Sequence, residues 1–292
     1  MTASDNTIAF QGKPGAYSHL ACLEAFPSMK SLSCASFEDV FQAVEGGDAR
    51  LAMLPIENSV AGRVADVHHL MPLSSLQIVG EHFHKVNHSL LGVPGAGVED
   101  LAVVHSHIQA LSQCRKALRR LGVEPASHAD TAGAAHDVAG KGDPAHGAIA
   151  SDLAARIYGL DILERDLEDA DHNHTRFLIL SRPAPLPDPG RDFLITSMIF
   201  RVRSVPAALY KALGGFATNG VNLTKIESYM TDGTFSAAQF HVDAEGHPDE
   251  RPMRLALEEL GFFALEVRIL GTYVAHPYRD AMRESAGDRE TV

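Results

Sequence analysis

Nine residues divide this chain. Arg182-Pro-Ala-Pro-Leu-Pro-Asp-Pro-Gly190 carries four prolines. Each proline fixes φ and removes an amide donor, so the stretch fits neither a helix interior nor a central strand. It reads as an extended linker at 183–191. A chain of 292 residues already suggests two domains, at roughly 150 residues per domain. The break makes them unequal: 1–182 and 192–278, followed by a polar tail at 279–292 that is expected to be disordered.

The periodicity differs on the two sides. Before the break, short apolar runs alternate with helical patterns. Residues 8–10 read as a strand leading through Gly12-Lys-Pro-Gly15 into a helix at 16–26. A helix at 36–44 has Ser36 as cap and Asp39 three residues on, the spacing of a capping box. Strands are expected at 51–56 and at 103–106. The second is followed by a helix to 121 that Gly122 ends. A strand at 146–150 leads to a helix capped by Ser151 that runs to 158, and a last strand covers 177–180. This alternation predicts an α/β domain with a mostly parallel sheet. After the break the order is strand 194–202, helix 206–217, strand 221–230, a turn at Thr231-Asp-Gly-Thr234, strand 235–242, helix 253–260 closed by Gly261, and strand 265–275. That is the split βαβ of the α+β ferredoxin-like fold, which hosts many functions.

Composition removes several classes of partner. The formal net charge is −12, from 25 Lys and Arg against 37 Asp and Glu. Nucleic-acid binding needs a basic face to displace counterions, so no nucleic-acid partner is expected. Hydrophobic residues at 45% exclude a wholly disordered chain. No run approaches the ~20 apolar residues of a membrane helix. Residues 1–7 lack a basic start with an apolar core. Neither a membrane partner nor a signal peptide is therefore expected. Cys22, Cys34 and Cys114 form no CxxC pair. They read as thiols of a reducing compartment, and the expected location is cytoplasmic.

Three segments set polar groups at strand ends. Gly12-Lys-Pro-Gly-Ala-Tyr17-Ser18 joins a strand to a helix. Glycines there allow close backbone approach, and a helix N-terminus favours an anion such as carboxylate. The plainer reading is a tight turn; the loop is neither a Walker loop nor GxGxxG. Leu54-Pro-Ile-Glu57-Asn58-Ser59 follows a buried strand, where α/β folds bind ligands. Alternatively, Asn58 and Ser59 cap the next helix. His172-Asn-His174-Thr175-Arg176-Phe177 opens the last strand after six acids between Asp161 and Asp171. Arg176 there is either a binding cation or half of a structural ion pair.

Together these segments resemble prephenate dehydratase. Gly12-x-x-Gly15-x-Tyr17-Ser18, Pro55-Ile-Glu-Asn-Ser59, Asp130-Thr-Ala132 and Thr175-Arg-Phe177 match that family's motifs in order and spacing. The resemblance implies a two-lobed catalytic domain similar to type II periplasmic binding proteins. Its second lobe would lie at about 86–172, with the active site between the lobes. It implies a carbon–oxygen lyase of phenylalanine biosynthesis that turns prephenate into phenylpyruvate, CO2 and water. Aromatisation drives that reaction, so no cofactor and no metal are implied. The barrier is expulsion of hydroxide, where a general acid is typically worth ~100- to 10,000-fold. The resemblance places that role on Thr175. It makes Arg176, Glu57 and Asn58 the other catalytic positions and Tyr17, Ser18, Ser59, Ser106, Gln113 and Phe177 the substrate contacts. From the residues alone, Ser106 is equally a helix cap and Gln113 a solvated side chain.

The part after the linker is similar to the family's amino-acid-binding ACT domain. This implies allosteric feedback by phenylalanine at a subunit interface, hence a homodimer or homotetramer. The ligand positions fall on Ala208, Leu209, Asn222, Leu223, Glu227 and Ser228. Two motifs depart from the family. Gly-Ala-Leu-Tyr is here Ala207-Ala208-Leu209-Tyr210, and Glu-Ser-Arg-Pro is Glu227-Ser228-Tyr229-Met230. Leu209, Leu213 and Phe216 would be helix core on any reading.

Rival readings are the same chemistry on arogenate and, in another class, a non-catalytic two-lobed sensor. With motifs beginning at Gly12, no fused chorismate mutase segment is expected. His82-x-His84, His105-x-His107 and His172-x-His174 can each share a strand face. Without a cysteine beside them or an HExxH helix, no metal is expected.

Overall fold

The computed structural model describes residues 3–190, 193–203, 205–230 and 237–287. The chain forms two compact units, one of residues 1–74 and 82–178, the other of 75–81 and 179–292.

The first unit begins β1 (Thr7–Gln11), α1 (Tyr17–Ala25), β2 (Lys30–Cys34), α2 (Phe37–Glu45), β3 (Leu51–Asn58), the short β4 (Gly62–Arg63) and α3 (Ala65–Leu70). After β5 (Gln77–Lys85) come β6 (Ser89–Gly92), β7 (Val103–His107), α4 (Ile108–Gln113), α5 (Arg115–Leu121), β8 (Glu124–His128), α6 (Thr131–Lys141), β9 (His146–Ala150), α7 (Asp152–Tyr158) and β10 (Asp161–Glu164). The chain then returns through β11 (His174–Ser181). The two sheets have the orders β2-β1-β3-β11-β5, with β4 beside β3, and β10-β6-β9-β7-β8. This is a two-lobed, periplasmic-binding-protein-like arrangement in which the chain leaves one sheet for the other and comes back.

Parallel pairing holds for β1 with β2 and β3, and for β7 with β8 and β9. The second sheet is mixed, however, because β6 runs antiparallel to both β9 and β10. No crossover helix precedes β6, so nothing forces it parallel.

Local signals account for several of the helix ends. Ser36 Oγ accepts from the Asp39 amide and the Asp39 carboxylate accepts from the Ser36 amide, each at 3.1 Å. Ser151 Oγ accepts from the Ala154 amide at 3.1 Å. Gly122 ends α5 in the left-handed region, φ 69. The single helix expected up to 121 is instead broken at Cys114. The reason is tertiary. The Gln113 carbonyl accepts from the Asp169 amide at 2.6 Å, and the Asp169 carboxylate accepts from the Lys116 amide at 3.2 Å. The acidic segment thus closes one helix and caps the next.

The second unit runs β12 (Leu194–Val202), α8 (Ala208–Thr218), β13 (Leu223–Met230), β14 (Ala237–Glu245), α9 (Arg251–Phe263), β15 (Ala264–Val274) and α10 (Tyr278–Gly287). Its antiparallel sheet has the order β13-β14-β12-β15. Met198, Phe200, Ala212, Phe216, Val242, Met253 and Leu260 form the buried core. This is the expected split βαβ.

Several expectations need correction here. The helix at 253–260 does not stop at Gly261 but runs on to Phe263. A terminating glycine needs a left-handed φ, and Gly261 does not adopt one. The tail begins with a helix rather than disorder: Arg279 is buried, and its guanidinium binds both oxygens of Glu81 at 2.6 and 2.9 Å. Residues 182–190 carry no helix or strand, as their prolines dictate. The division between units nevertheless falls earlier, after residue 178 and so within β11. The expected turn at 231–234, the first two residues of strand 235–242, the linker's last residue 191 and tail residues 288–292 lie outside the described residues.

One glycine is needed for two reasons. Gly15 has φ +95, and an added Cβ would sit 2.8 Å from Ala154 Cα. Its carbonyl accepts from Ser151 Oγ at 2.6 Å, which pins the β1–α1 loop to the start of α7. Gly15→Ala is expected to lower the unfolding free energy by ~1–3 kcal/mol. Urea denaturation of the full chain measures this; an unchanged midpoint refutes it.

Candidate active site

A cavity of about 590 Å3 opens between the two lobes of the first unit. Strand ends and helix starts form its wall. Tyr17 and Ser18 come from the start of α1, Asn58 from the end of β3, Gln113 from α4, Thr131 from the start of α6, and Thr175 and Phe177 from β11.

A continuous chain of hydrogen bonds runs along this wall. Asn58 Nδ2 donates to Thr175 Oγ1 at 3.0 Å and to Asn173 Oδ1 at 2.8 Å. Asn173 Nδ2 donates to Gln113 Oε1 at 2.9 Å. The same oxygen lies 2.8 Å from His88 Nε2. His88 Nδ1 lies 2.7 Å from the Tyr17 hydroxyl, which is also 2.9 Å from the Asn87 carbonyl.

Simple valence fixes the orientations. Asn58 Oδ1 accepts from the Val60 and Ala61 amides at 3.0 and 2.8 Å. Its amide nitrogen must therefore face Asn173 and Thr175. Gln113 Oε1 takes two contacts, so its NH2 remains for the cavity. It also requires His88 to carry its proton on Nε2. Thr175 accepts at Oγ1, and its own proton has no acceptor among the described residues.

The charges at the wall are mixed: Asp66 and Asp130 line it, and helix starts and one arginine oppose them. The nine-residue α1 and the eleven-residue α6 both start at the cavity wall. Helix N-termini present free amides and positive partial charge. Arg63 on β4 also lines the wall. Burial pushes the Tyr17 phenol well above 10, with Cys114, Glu168 and Asp152 acting in the same direction. Tyr17 is thus a neutral donor.

A second cavity, also about 590 Å3, lies in the second unit where β12 ends and α8 begins. Ala208, Leu209 and Ser228 line it, with Arg203 and Tyr210. Asn222, Leu223 and Glu227 are not among its lining residues; Leu223 packs on the core instead. Ala207, where the family motif has glycine, is left-handed at φ 62, a conformation that suits glycine better.

A family model described as prephenate dehydratase (PDT) matches residues 8–185. The chain belongs to the prephenate dehydratase family. It is 52% identical over 276 residues to a bifunctional N-acyl-homoserine lactone acylase/prephenate dehydratase of Komagataeibacter europaeus, covering 94% of this chain and 98% of that one. It is 44% identical over 280 residues to arogenate dehydratase/prephenate dehydratase 1 of Arabidopsis thaliana, covering 91% of this chain and 71% of the relative. A solved prephenate dehydratase of Arthrobacter aurescens, in complex with L-Phe, matches with a TM-score of 0.84 at 28% identity, over 98% of each chain.

Of the positions expected to form the site of this prephenate dehydratase family member, Tyr17, Ser18, Asn58, Gln113, Thr175 and Phe177 line the cavity. Glu57, Ser59, Ser106 and Arg176 do not. Successive strand residues point to opposite faces. With Asn58 and Thr175 facing the cavity, Glu57 and Arg176 turn away. There Arg176 Nη1 donates to Glu57 Oε1 at 2.8 Å, and the Arg176 side chain is 4% exposed. This is the structural ion pair that the sequence left open.

Ser59 neither caps a helix nor lines the cavity. Its hydroxyl donates to the His172 carbonyl at 2.5 Å and accepts from the His174 amide at 2.9 Å. It ties the end of β3 to the start of β11 and so places Thr175. Ser106 is fully buried and donates to the Ile149 carbonyl at 2.6 Å. The cap of α4 is His107.

Sequence reasoning missed Asn173, His88 and Arg63. Asn173 lay inside a segment already singled out. His88 and Arg63 sit in no local pattern, and only the fold brings them to the wall.

His88 is 2% exposed. Loss of solvent holds its pKa below the ordinary 6.5, against smaller upward effects from Gln113 and Glu168. The unfolded chain therefore binds the proton more readily. The neutral ring's contribution to stability is complete above about 6.5 and is lost as pH falls below it. NMR titration of the His88 ring is expected to give a midpoint below 6.5; a midpoint at or above that value contradicts the neutral assignment.

Proposed function

We propose that this chain catalyses the decarboxylating dehydration of prephenate to phenylpyruvate, CO2 and water. Thr175 carries the reading. Its oxygen accepts from Asn58, so its proton is directed to an acceptor in the cavity. Prephenate is a dianion whose ring bears a carboxylate and, opposite, a hydroxyl. As CO2 leaves, its bonding pair moves through the ring and expels the hydroxyl oxygen. Thr175 donates its proton to that oxygen, which departs as water. Asn58 Nδ2 stabilises the charge that develops on Oγ1, and solvent restores the proton afterwards.

The α1 and α6 N-termini, the Gln113 NH2 and Arg63 would hold the carboxylates. Neutral amides and dipoles orient the departing carboxylate without stabilising it so strongly that CO2 loss is opposed. Glu57 and Arg176 act as positioning residues beneath Asn58 and Thr175, and Ser59 locks the two strands. Ser106 holds β7 to β9.

Thr175→Val keeps the shape and removes the proton. Its expected effect is a kcat loss of roughly 100- to 10,000-fold with KM little changed. Formation of phenylpyruvate measures it; near-parental turnover sinks the assignment. Running the same assay on arogenate separates the two dehydratase readings, since the Arabidopsis relative is named for both. N-acyl-homoserine lactone is a third arm, motivated by the name of the 52% identical relative. No turnover on any of the three would favour the non-catalytic sensor.

The second unit is proposed to be an ACT domain that binds phenylalanine and inhibits turnover. The cavity beside Ala208, Leu209 and Ser228 supports this, as does the L-Phe complex of the Arthrobacter relative. Homodimer or homotetramer formation is proposed with it. Phe262 at 81% and Tyr210 at 80% exposure are apolar surface that association would cover. Among the described residues no helix is long and apolar enough to cross a membrane, and the proposed location is the cytoplasm. Phenylalanine is expected to lower turnover through an effect that Leu209→Ala weakens; activity unchanged at millimolar phenylalanine contradicts it.

A further inference from the structure

Outside the cavity, α1 and β5 bring together a cluster that the dehydratase chemistry does not use. Glu24 lies near the end of α1. His82 and His84 lie two apart on β5, so they share one face of the strand. Glu24 Oε2 is 2.9 Å from His82 Nε2 and 2.9 Å from His84 Nδ1. The three donor atoms lie within 4.8 Å of one another. None of the three residues lines the active-site cavity.

We propose that Glu24, His82 and His84 bind a divalent transition-metal ion of the zinc class. Two imidazoles and one carboxylate form a mixed nitrogen and oxygen donor set. Zinc, cobalt and nickel accept such a set, whereas calcium and magnesium select oxygen. A tetrahedral ion with ~2.0–2.1 Å bonds spaces its ligands about 3.3 Å apart. The two carboxylate contacts need open by a few tenths of an ångström, and the two imidazole nitrogens, within 4.8 Å of each other, must settle at the same spacing. Binding moves no net proton if both rings are neutral. The protons on His82 Nε2 and His84 Nδ1 shift to the other ring nitrogens, and the freed lone pairs take the metal.

Exposure suits entry. The histidine side chains are 12% and 9% exposed, and Glu24 is 45% exposed. The rings are held in place while the carboxylate faces solvent, which leaves room for water as a fourth ligand. The cluster also reaches toward the active site. Tyr17 lies seven residues before Glu24, two turns along the same side of α1. Its ring centroid is 5.9 Å from that of His84. A bound ion would clip α1 to β5 directly behind the tyrosine that heads the hydrogen-bond chain, acting as a structural brace.

The test uses full-length protein stripped with a chelator and titrated with Co2+ and Zn2+. One equivalent of Co2+ is expected, with absorption bands of a four- or five-coordinate site. Zinc at 100-fold above its Kd is expected to raise the unfolding midpoint by on the order of 5 °C. Glu24→Gln and His84→Gln should each weaken zinc at least tenfold. His105→Gln, at the other close histidine pair (His105 Nε2 to His146 Nδ1, 2.8 Å), should leave it unchanged. Three outcomes overturn the proposal: no binding tighter than ~100 µM, too weak to stabilise at micromolar metal; binding that survives both cluster variants; or binding lost only in His105→Gln.

Discussion

Asn58 can face only one way. Two backbone amides, of Val60 and Ala61, hold its carbonyl, and reversing the side chain would set donors against donors. From that constraint the rest of the wall follows. The amide nitrogen must donate to Thr175 and Asn173, Asn173 must present its NH2 to Gln113, and Gln113 must receive His88 Nε2. A four-residue turn at the end of one strand thus sets the orientation of Asn58, Asn173, Gln113 and His88. Buried polar networks are costly when one member is unsatisfied, so this orientation is also the one that folding favours.

The field in the cavity is local and bears little relation to the total charge. A chain of net charge −12 would repel a dianion at long range. At the wall, two helix starts and Arg63 stand beside Asp66 and Asp130, so position within the cavity matters more than the sum. Six acids precede β11, and Asp169 shows how some of them are spent: its amide and carboxylate finish α4 and begin α5. Acidity in this segment is helix capping as much as surface charge.

Much of this fold was legible because its signals are local. Ser36 with Asp39, Ser151, and Gly122 each state a helix end within four residues. Periodicity located β1, β3, β7, β9 and the split βαβ. Of the strands that escaped, β2, β5, β8 and β10 end the sheet orders; an edge strand has one neighbour and a weak apolar pattern, as in the Glu-Pro-Ala-Ser-His run of β8, whereas β4 and the interior β6 escaped because they span only two and four residues. The break at Cys114 was illegible because Asp169 makes it from 55 positions away. In the candidate site, motif spacing identified Asn58, Gln113 and Thr175. Spacing does not say which face of a strand a residue takes, so Glu57 and Arg176 were grouped with neighbours that point the opposite way. Ser106 was misplaced for a different reason: its hydroxyl is turned to the Ile149 carbonyl inside the sheet.

The ion pair beneath the wall has a consequence for how such a chain can change. Arg176 is buried and Glu57 half-buried. Losing Glu57 takes a carboxylate from a guanidinium that water hardly reaches, whereas replacing both together by apolar groups can be neutral. A single step away from Glu57 therefore passes through a destabilised intermediate. On the proposed reaction, the triplet Thr175-Arg176-Phe177 joins two unrelated roles in adjacent letters, a proton donor in the first residue and half of a fold-holding ion pair in the second. A sequence motif that reads as one active-site signature is, in the molecule, two constraints that happen to be neighbours on a strand.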